Sequence, residues 1–95
     1  MRYVRISWRH DHVGEPTTLY SEVDDERREV RKVEVFSNGR CGYASVLASA
    51  GGTRLGEVPM PELGTIAADP QFGPAEITAA EFEAVWSERL SRGIQ

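Results

Sequence analysis

Glu29-Val30-Arg31-Lys32-Val33-Glu34-Val35-Phe36-Ser37-Asn38-Gly39-Arg40-Cys41-Gly42-Tyr43-Ala44-Ser45-Val46-Leu47 is the stretch on which the fold turns. Apolar and polar residues alternate on both sides of Asn38-Gly39, the period of a strand with one buried face. Asn-Gly between two such runs is the strongest short-range hairpin signal, because both central positions of a type I′ turn need positive φ. The pattern predicts strands over 29–37 and 40–47. A two-residue turn also sets the register: Ser37 opposes Arg40, Phe36 opposes Cys41, Val35 faces Gly42, Val33 faces Ala44 and Arg31 faces Val46. Valines opposite small residues make a shallow trough in which a helix can lie. The other face of the hairpin carries Lys32, Glu34, Phe36, Cys41, Tyr43 and Ser45.

Upstream, two more alternating segments read as strands. In 3–9, Val4, Ile6 and Trp8 point one way and Tyr3, Arg5, Ser7 and Arg9 the other. In 17–23, Leu19 and Val23 oppose Tyr20 and Glu22. Asp11, Gly14 and Pro16 break the chain between them, and Asp24 to Arg28 is a charged turn. Downstream, 48–61 is a long loop marked by Gly51, Gly52, Gly56, Pro59 and Pro61. A short helix is expected over 61–68 and irregular chain over 71–76. Thr78 and Glu81 have the spacing of a capping box. Phe82, Val85 and Trp86 then recur at helical spacing, which predicts a helix to about Leu90. Arg89 and Arg92 sit where positive charge suits the helix dipole.

Strands first and helices after point to an α+β fold. The expectation is a mostly antiparallel four-stranded sheet with the C-terminal helix packed on one face and a short helix before it. No repeat or linker divides residues 1–95, so they read as a single domain. Val4, Ile6, Trp8, Leu19 and Val23 are expected to share the core face with the hairpin valines. Tyr3, Arg5, Arg9, Tyr20, Glu22, Lys32, Glu34, Phe36 and Tyr43 are then expected on the other face.

Composition narrows the function classes. Ninety-five residues support one thin core, two layers deep, with little room for a deep catalytic cleft. Hydrophobic residues at 40% and charged residues at 27% fit a globular chain. A net charge of -4 lowers the prior for nucleic acid, whose binding draws on Lys and Arg. Single-stranded nucleic acid stacking on the tyrosines is a third-ranked reading. Cys41 is the only cysteine, which excludes an internal disulfide and favours a reducing, cytoplasmic setting. The N-terminus has no continuous apolar run, so neither a signal peptide nor a membrane span is expected.

The chemistry-bearing motifs are sparse. His10-Asp11-His12 offers metal-ligand types but no fourth ligand nearby and no strong metal spacing, so a polar loop is the better reading and no metal is expected. Cys41 with a histidine has the parts of a nucleophile and base, but no activating helix N-terminus is evident. Gly51-Gly52-Thr53-Arg54-Leu55-Gly56 lacks both nucleotide-binding patterns, though its length marks it as a segment of interest. Asp24, Asp25, Glu26 and Glu29 lack a calcium-loop spacing. Glu22, Lys32 and Glu34 are expected to form a small ionic network.

These landmarks also carry a resemblance. Trp8-x-His10-Asp11, Leu19-Tyr20-Ser21-Glu22-x-Asp24, Glu29 to Phe36, Gly39, Tyr43-Ala44, Gly52-Thr53-x-Leu55-Gly56-Glu57 and Glu81-Phe82-Glu83 with Trp86 resemble a family of small bacterial proteins known only as a domain of unknown function. The likeness runs over most of the chain and brings no activity or catalytic residue with it. At Arg28 such relatives tend to carry an aromatic residue. The resemblance implies a bacterial, cytoplasmic protein of one domain.

The function expected first is non-enzymatic: a Tyr/Arg-rich sheet face that engages a protein partner, as in immunity or antitoxin proteins, which are often small and acidic. Tyr3, Arg5, Arg9, Tyr20, Glu22, Lys32, Glu34, Phe36, Tyr43 and Arg54 are its candidate binding residues. The alternative is a small enzyme or ligand-binding domain with an anion site between the sheet and the Gly51–Gly56 loop. There Arg5, Arg54 or Lys32 would bind the anion, and His10, Asp11 or Glu34 would handle protons. No cofactor is expected. A homodimer would follow if either of the first two strands were an exposed edge.

Overall fold

The computed structural model describes all 95 residues, and its sheet has six strands where four were expected. They are β1 (Arg2–Trp8), β2 (Thr18–Val23), β3 (Glu29–Val35), β4 (Cys41–Ser45), β5 (Ser49–Ala50) and β6 (Phe72–Ile77). The helices are α1 (Leu63–Ala67) and α2 (Ala79–Glu88). The strands lie in the order β5-β4-β3-β2-β1-β6, and each neighbouring pair is antiparallel. The α+β class holds. The two extra strands occupy the two edges. β5 lies in the stretch read as loop, and β6 in the stretch read as irregular. Gly73 and Pro74 hide β6 in the sequence, yet an edge strand tolerates proline because its outward backbone needs no partner. β1 and β2 are interior strands, so edge pairing through either is closed.

The hairpin forms one residue out of the expected register. Val35 pairs with Cys41, Glu34 with Gly42, Val33 with Tyr43 and Lys32 with Ala44. Gly39 N–H donates to Phe36 O at 2.9 Å and Phe36 N–H donates to Arg40 O at 2.9 Å, which leaves a three-residue loop. Only Gly39 takes positive φ, at 84°, whereas a type I′ turn would need it at Asn38 as well. Asn38 instead turns its side-chain oxygen onto Arg40 N–H at 2.9 Å. A one-residue shift moves every β4 side chain to the other face. Tyr43 and Cys41 therefore join Val33 and Val35, and Gly42 and Ala44 join Lys32 and Glu34.

α2 crosses the face bearing Tyr3, Glu22, Arg31, Val33 and Tyr43. The Thr78–Glu81 capping box forms as expected. Fully buried Phe82 packs against Tyr3 with the rings tilted and 5.4 Å apart, and Trp86 meets Tyr43 edge-on at 5.7 Å. Val4, Ile6, Trp8 and Leu19 point away from α2, contrary to the single core face expected. Tyr3 pairs with Glu22 and Glu22 with Arg31, so the polar face of β1 and β2 is the one beneath the helix. The fold is thus three-layered in part: helix, sheet, and a crossing strap made of residues 51–62 with α1.

A bulge completes this arrangement. Glu22 pairs with Arg31 but Val23 pairs with Glu29, so Val30 is an extra residue in β3. Bulges re-aim side chains. This one turns Glu29 onto the strap side, where regular alternation would have put it beside Arg31 under the helix. No helix of the protein is long and apolar enough to cross a membrane.

Candidate functional site

The strap is held by consecutive residues of the β2–β3 turn and the start of β3. Asp24 organises that turn by accepting from the N–H groups of Glu26 and Arg28 at 2.9 and 3.0 Å. Arg27 follows with φ at 64°, the left-handed region a bulky residue rarely takes. In that conformation Arg27 O accepts Met60 N–H, while its guanidinium donates to Met60 O and Pro61 O, all at 2.7 Å. Arg28 donates to Glu57 O at 3.1 Å. Glu29 accepts the Gly56 N–H. Farther along the strap, Thr53 Oγ1 donates to Glu34 at 2.7 Å.

Between strap, α1 and sheet lies an open pocket of about 450 Å3, within the roughly 300–1,000 Å3 of small-molecule sites. Ile6, Leu19 and Phe72 contribute from the sheet, and Val58, Met60 and Ile66 from the strap and α1. Ile6, Leu19, Met60, Ile66 and Phe72 are only half-buried, so the pocket leaves large apolar side chains in contact with water. Ser21, Glu29, Lys32 and Asp69 are its polar lining.

The polar cluster is largely self-satisfied. The Glu29 carboxylate accepts from Ser21 Oγ at 2.8 Å, from Lys32 Nζ at 3.3 Å and from Gly56 N–H. Glu29 and Lys32 side chains are 7% and 16% exposed, and burial of either charge would be costly without the other. An ammonium has three donors and Glu29 takes one. Two remain for a ligand oxygen, on a charge already offset by Glu29. A Cβ on Gly56 would lie 2.8 Å from Glu29 Oε1, so a larger residue would push the carboxylate or the strap aside.

The expected recognition residues divide between the two faces. Tyr3, Arg5, Tyr20, Glu22 and Tyr43 share the helix side, where Tyr3 and Tyr43 pack against α2. Glu22 is 6% exposed and forms a two-pronged pair with Arg31 at 2.7 and 2.9 Å. Arg31 also pairs with Glu83. The Arg31 guanidinium holds the Glu22 and Glu83 carboxyls below the usual range. Arg5 is exposed beside half-buried Tyr20. Lys32 and Glu34 lie on the pocket side instead, since Tyr20 pairs with Val33 and Glu22 with Arg31. Phe36 is buried past the end of β3, and Arg9 donates to Pro70 O at 2.9 Å. Arg54 is exposed and Arg5 is on the far face, so of the three expected anion binders only Lys32 lines the pocket. The expected network of Glu22, Lys32 and Glu34 is replaced by three separate pairings, to Arg31, Glu29 and Thr53.

His10 and His12 stack at 5.3 Å. His10 Nε2 meets Pro16 O at 2.7 Å and its Nδ1 accepts the His12 N–H at 2.9 Å, so both ring nitrogens are engaged by the chain. Asp11 and His12 are exposed. Cys41 is fully buried with its Sγ 3.0 Å from Arg89 O, and burial pushes its thiol up. Sequence reasoning missed Glu29, Arg27 and Arg31 as site-forming residues. Their signal was local: a lone acid at the head of an otherwise regular strand, preceded by a turn rich in arginine.

Comparison with known proteins adds a family and no activity. A family model described as "Domain of unknown function (DUF6881)" matches residues 2–91. No curated protein and no solved structure matches the chain.

Proposed function

The chain belongs to that family, DUF6881, and from the geometry of the pocket we propose that it is a small-molecule binding protein. Its ligand has a compact apolar body and one oxygen head group that accepts hydrogen bonds from Lys32. The observation that carries this reading is the pocket of about 450 Å3, in which half-buried Ile6, Leu19, Ile66 and Phe72 surround one lysine with donors to spare. Glu29 offsets the charge of Lys32, which favours a neutral or singly charged head over a phosphate. Binding without catalysis is the better reading because both Glu29 oxygens are already engaged, Oε1 by Gly56 N–H and Lys32 and Oε2 by Ser21 Oγ. A reducing, cytoplasmic setting is supported by the single buried thiol. A protein partner, the role suggested by the tyrosines, would meet the helix side instead.

Titration with 8-anilinonaphthalene-1-sulfonate tests the reading, since the dye pairs an apolar body with one anionic head. One-to-one saturable binding is expected, weakened roughly tenfold by Lys32→Met, the effect of losing one hydrogen bond to a charged group. Thr65→Trp, an exposed change at the pocket lining, is expected to abolish it. Dye binding that ignores both substitutions would sink the proposal.

A further inference from the structure

The helix side holds a second recess, of about 480 Å3, lined by Tyr43, Val46, Leu47, Trp86 and Arg89 with the Glu22–Arg31 pair at its base. We propose that this groove docks a segment of a partner protein in which a carboxylate side chain is flanked by an apolar one, with Arg89 as the carboxylate receptor.

Arg89 is the reason. Its guanidinium carbon lies 4.0 Å from the centre of the Trp86 ring and 4.7 Å from that of Tyr43, so two aromatic rings hold it in place. Nη1 donates to Trp86 O at 2.8 Å. Nε is buried with no acceptor, the one such side-chain atom in the protein. Its neighbour Arg31 also lies against Trp86, at 5.1 Å, but takes both Glu22 and Glu83 as ion-pair partners. Arg89 has no carboxylate within ion-pair distance. One arginine of the aromatic stack is thus neutralised twice and the other not at all. Nε is out of a ligand's reach, but Nη1 keeps a second N–H and Nη2 has two, so the Nη1–Nη2 edge of the held guanidinium is the planar fork left for a carboxylate.

The apolar half of the ligand follows from the rim. Val46 and Leu47, in the turn after β4, are 81% and 92% exposed and line the same recess. Large exposed aliphatic side chains contiguous with a groove mark a contact surface for another chain. The aromatic and arginine content of the groove is that of protein-binding hot spots.

Three probes test this against the full-length protein: the capped tripeptide Ac-Leu-Asp-Leu-NH2, its Asn counterpart, and isovalerate. The protein has two tryptophans, so the indole N–H signals in a 15N NMR spectrum give a direct readout, with Trp8→Phe assigning them. The Trp86 signal is expected to shift saturably with the Asp peptide and the Trp8 signal to stay still. Affinity should fall at least roughly tenfold for the Asn peptide, and likewise for Arg89→Lys, which keeps the charge but loses the fork. The wild-type comparison of Asp and Asn peptides needs no variant to fold. Equal shifts with the two peptides, or no saturable shift up to about 10 mM, would overturn the proposal. Isovalerate binding as tightly as the peptide would also overturn it, because the groove would then be a small-acid site.

Discussion

Glu29 and Gly56 are separated by 27 positions in the chain, yet the carboxylate of the first accepts the backbone N–H of the second. That bond is one of several that tie the strap to the sheet and its β2–β3 turn, and it helps form one wall of the pocket. It exists because the extra residue Val30 turns Glu29 to the strap side.

Glu29→Ala is accordingly expected to leave Ser21, Lys32 and Gly56 without their shared acceptor. The loss should be about 3 kcal/mol, in the range for breaking a buried pair by deleting one member. Urea unfolding gives the magnitude. Hydrogen exchange at the Gly56 amide should speed up by a larger factor than exchange in β3, because the strap opens before the sheet does.

Gly56→Ala tests the same contact from the other side. A Cβ 2.8 Å from Glu29 Oε1 forces either the strap or the carboxylate to move. A loss of about 1–2 kcal/mol is expected, typical of overpacking. Gly64→Ala, where an added Cβ meets nothing within 4 Å, should not destabilise and serves as the control. Similar losses at both positions would rule out the close contact.

Acid sensitivity should trace to the Glu22–Arg31 pair. Both Glu22 and Glu83 are depressed below the ordinary 4.5 by Arg31. A carboxyl depressed in the folded state adds stability above its unfolded value, and this is lost as pH falls through the lower folded value. Stability is therefore expected to be level from pH 7 to 5 and to drop below about 4.5. Glu22→Gln should be less stable than wild type at pH 7, with the gap narrowing as the pH falls below about 4.5. Glu83→Gln should change less, since that side chain is 52% exposed. Thermal melts followed by circular dichroism across this range provide the check, and parallel curves for wild type and Glu22→Gln would contradict it.

Cys41 should resist alkylation. A thiol that is fully buried, engaged at 3.0 Å with Arg89 O and raised by burial has little thiolate at pH 8. Iodoacetamide is expected to label the native protein at least roughly a hundredfold more slowly than the urea-unfolded chain. Comparable rates would mean that the C-terminal residues around Arg89 open readily.

Much of the fold was legible because periodicity is a strong signal where the chain is regular. The bounds of the four interior strands are legible to within two residues, and the capping box at Thr78 and Glu81 is legible as it stands. The hairpin register was not, and the cause is specific. Asn-Gly suits a two-residue type I′ turn, but it equally suits a three-residue loop in which only the glycine is left-handed, and the same two letters stand for both. β6 was lost because Gly73-Pro74 reads as a breaker when the strand's edge position is unknown. The candidate site was barely legible, since its key residue faces the pocket only through a bulge, and alternation counted from Arg31 puts Glu29 on the wrong side. Lys32 was named for a possible anion site, and its lysine does line the pocket. Arg89 passed as a helix-end charge, because nothing local shows that Tyr43 and Trp86 enclose it.

Pro74 has a reach beyond its own strand. It stands opposite Ile6, at a position whose backbone faces out of the sheet, and it has no N–H to offer there. The opposite edge, β5, is only two residues long. Neither border of the sheet presents a template along which another chain could zip by main-chain pairing. A chain that meets these borders is left to read their side chains, so specificity there is written in residues that substitution can change one at a time.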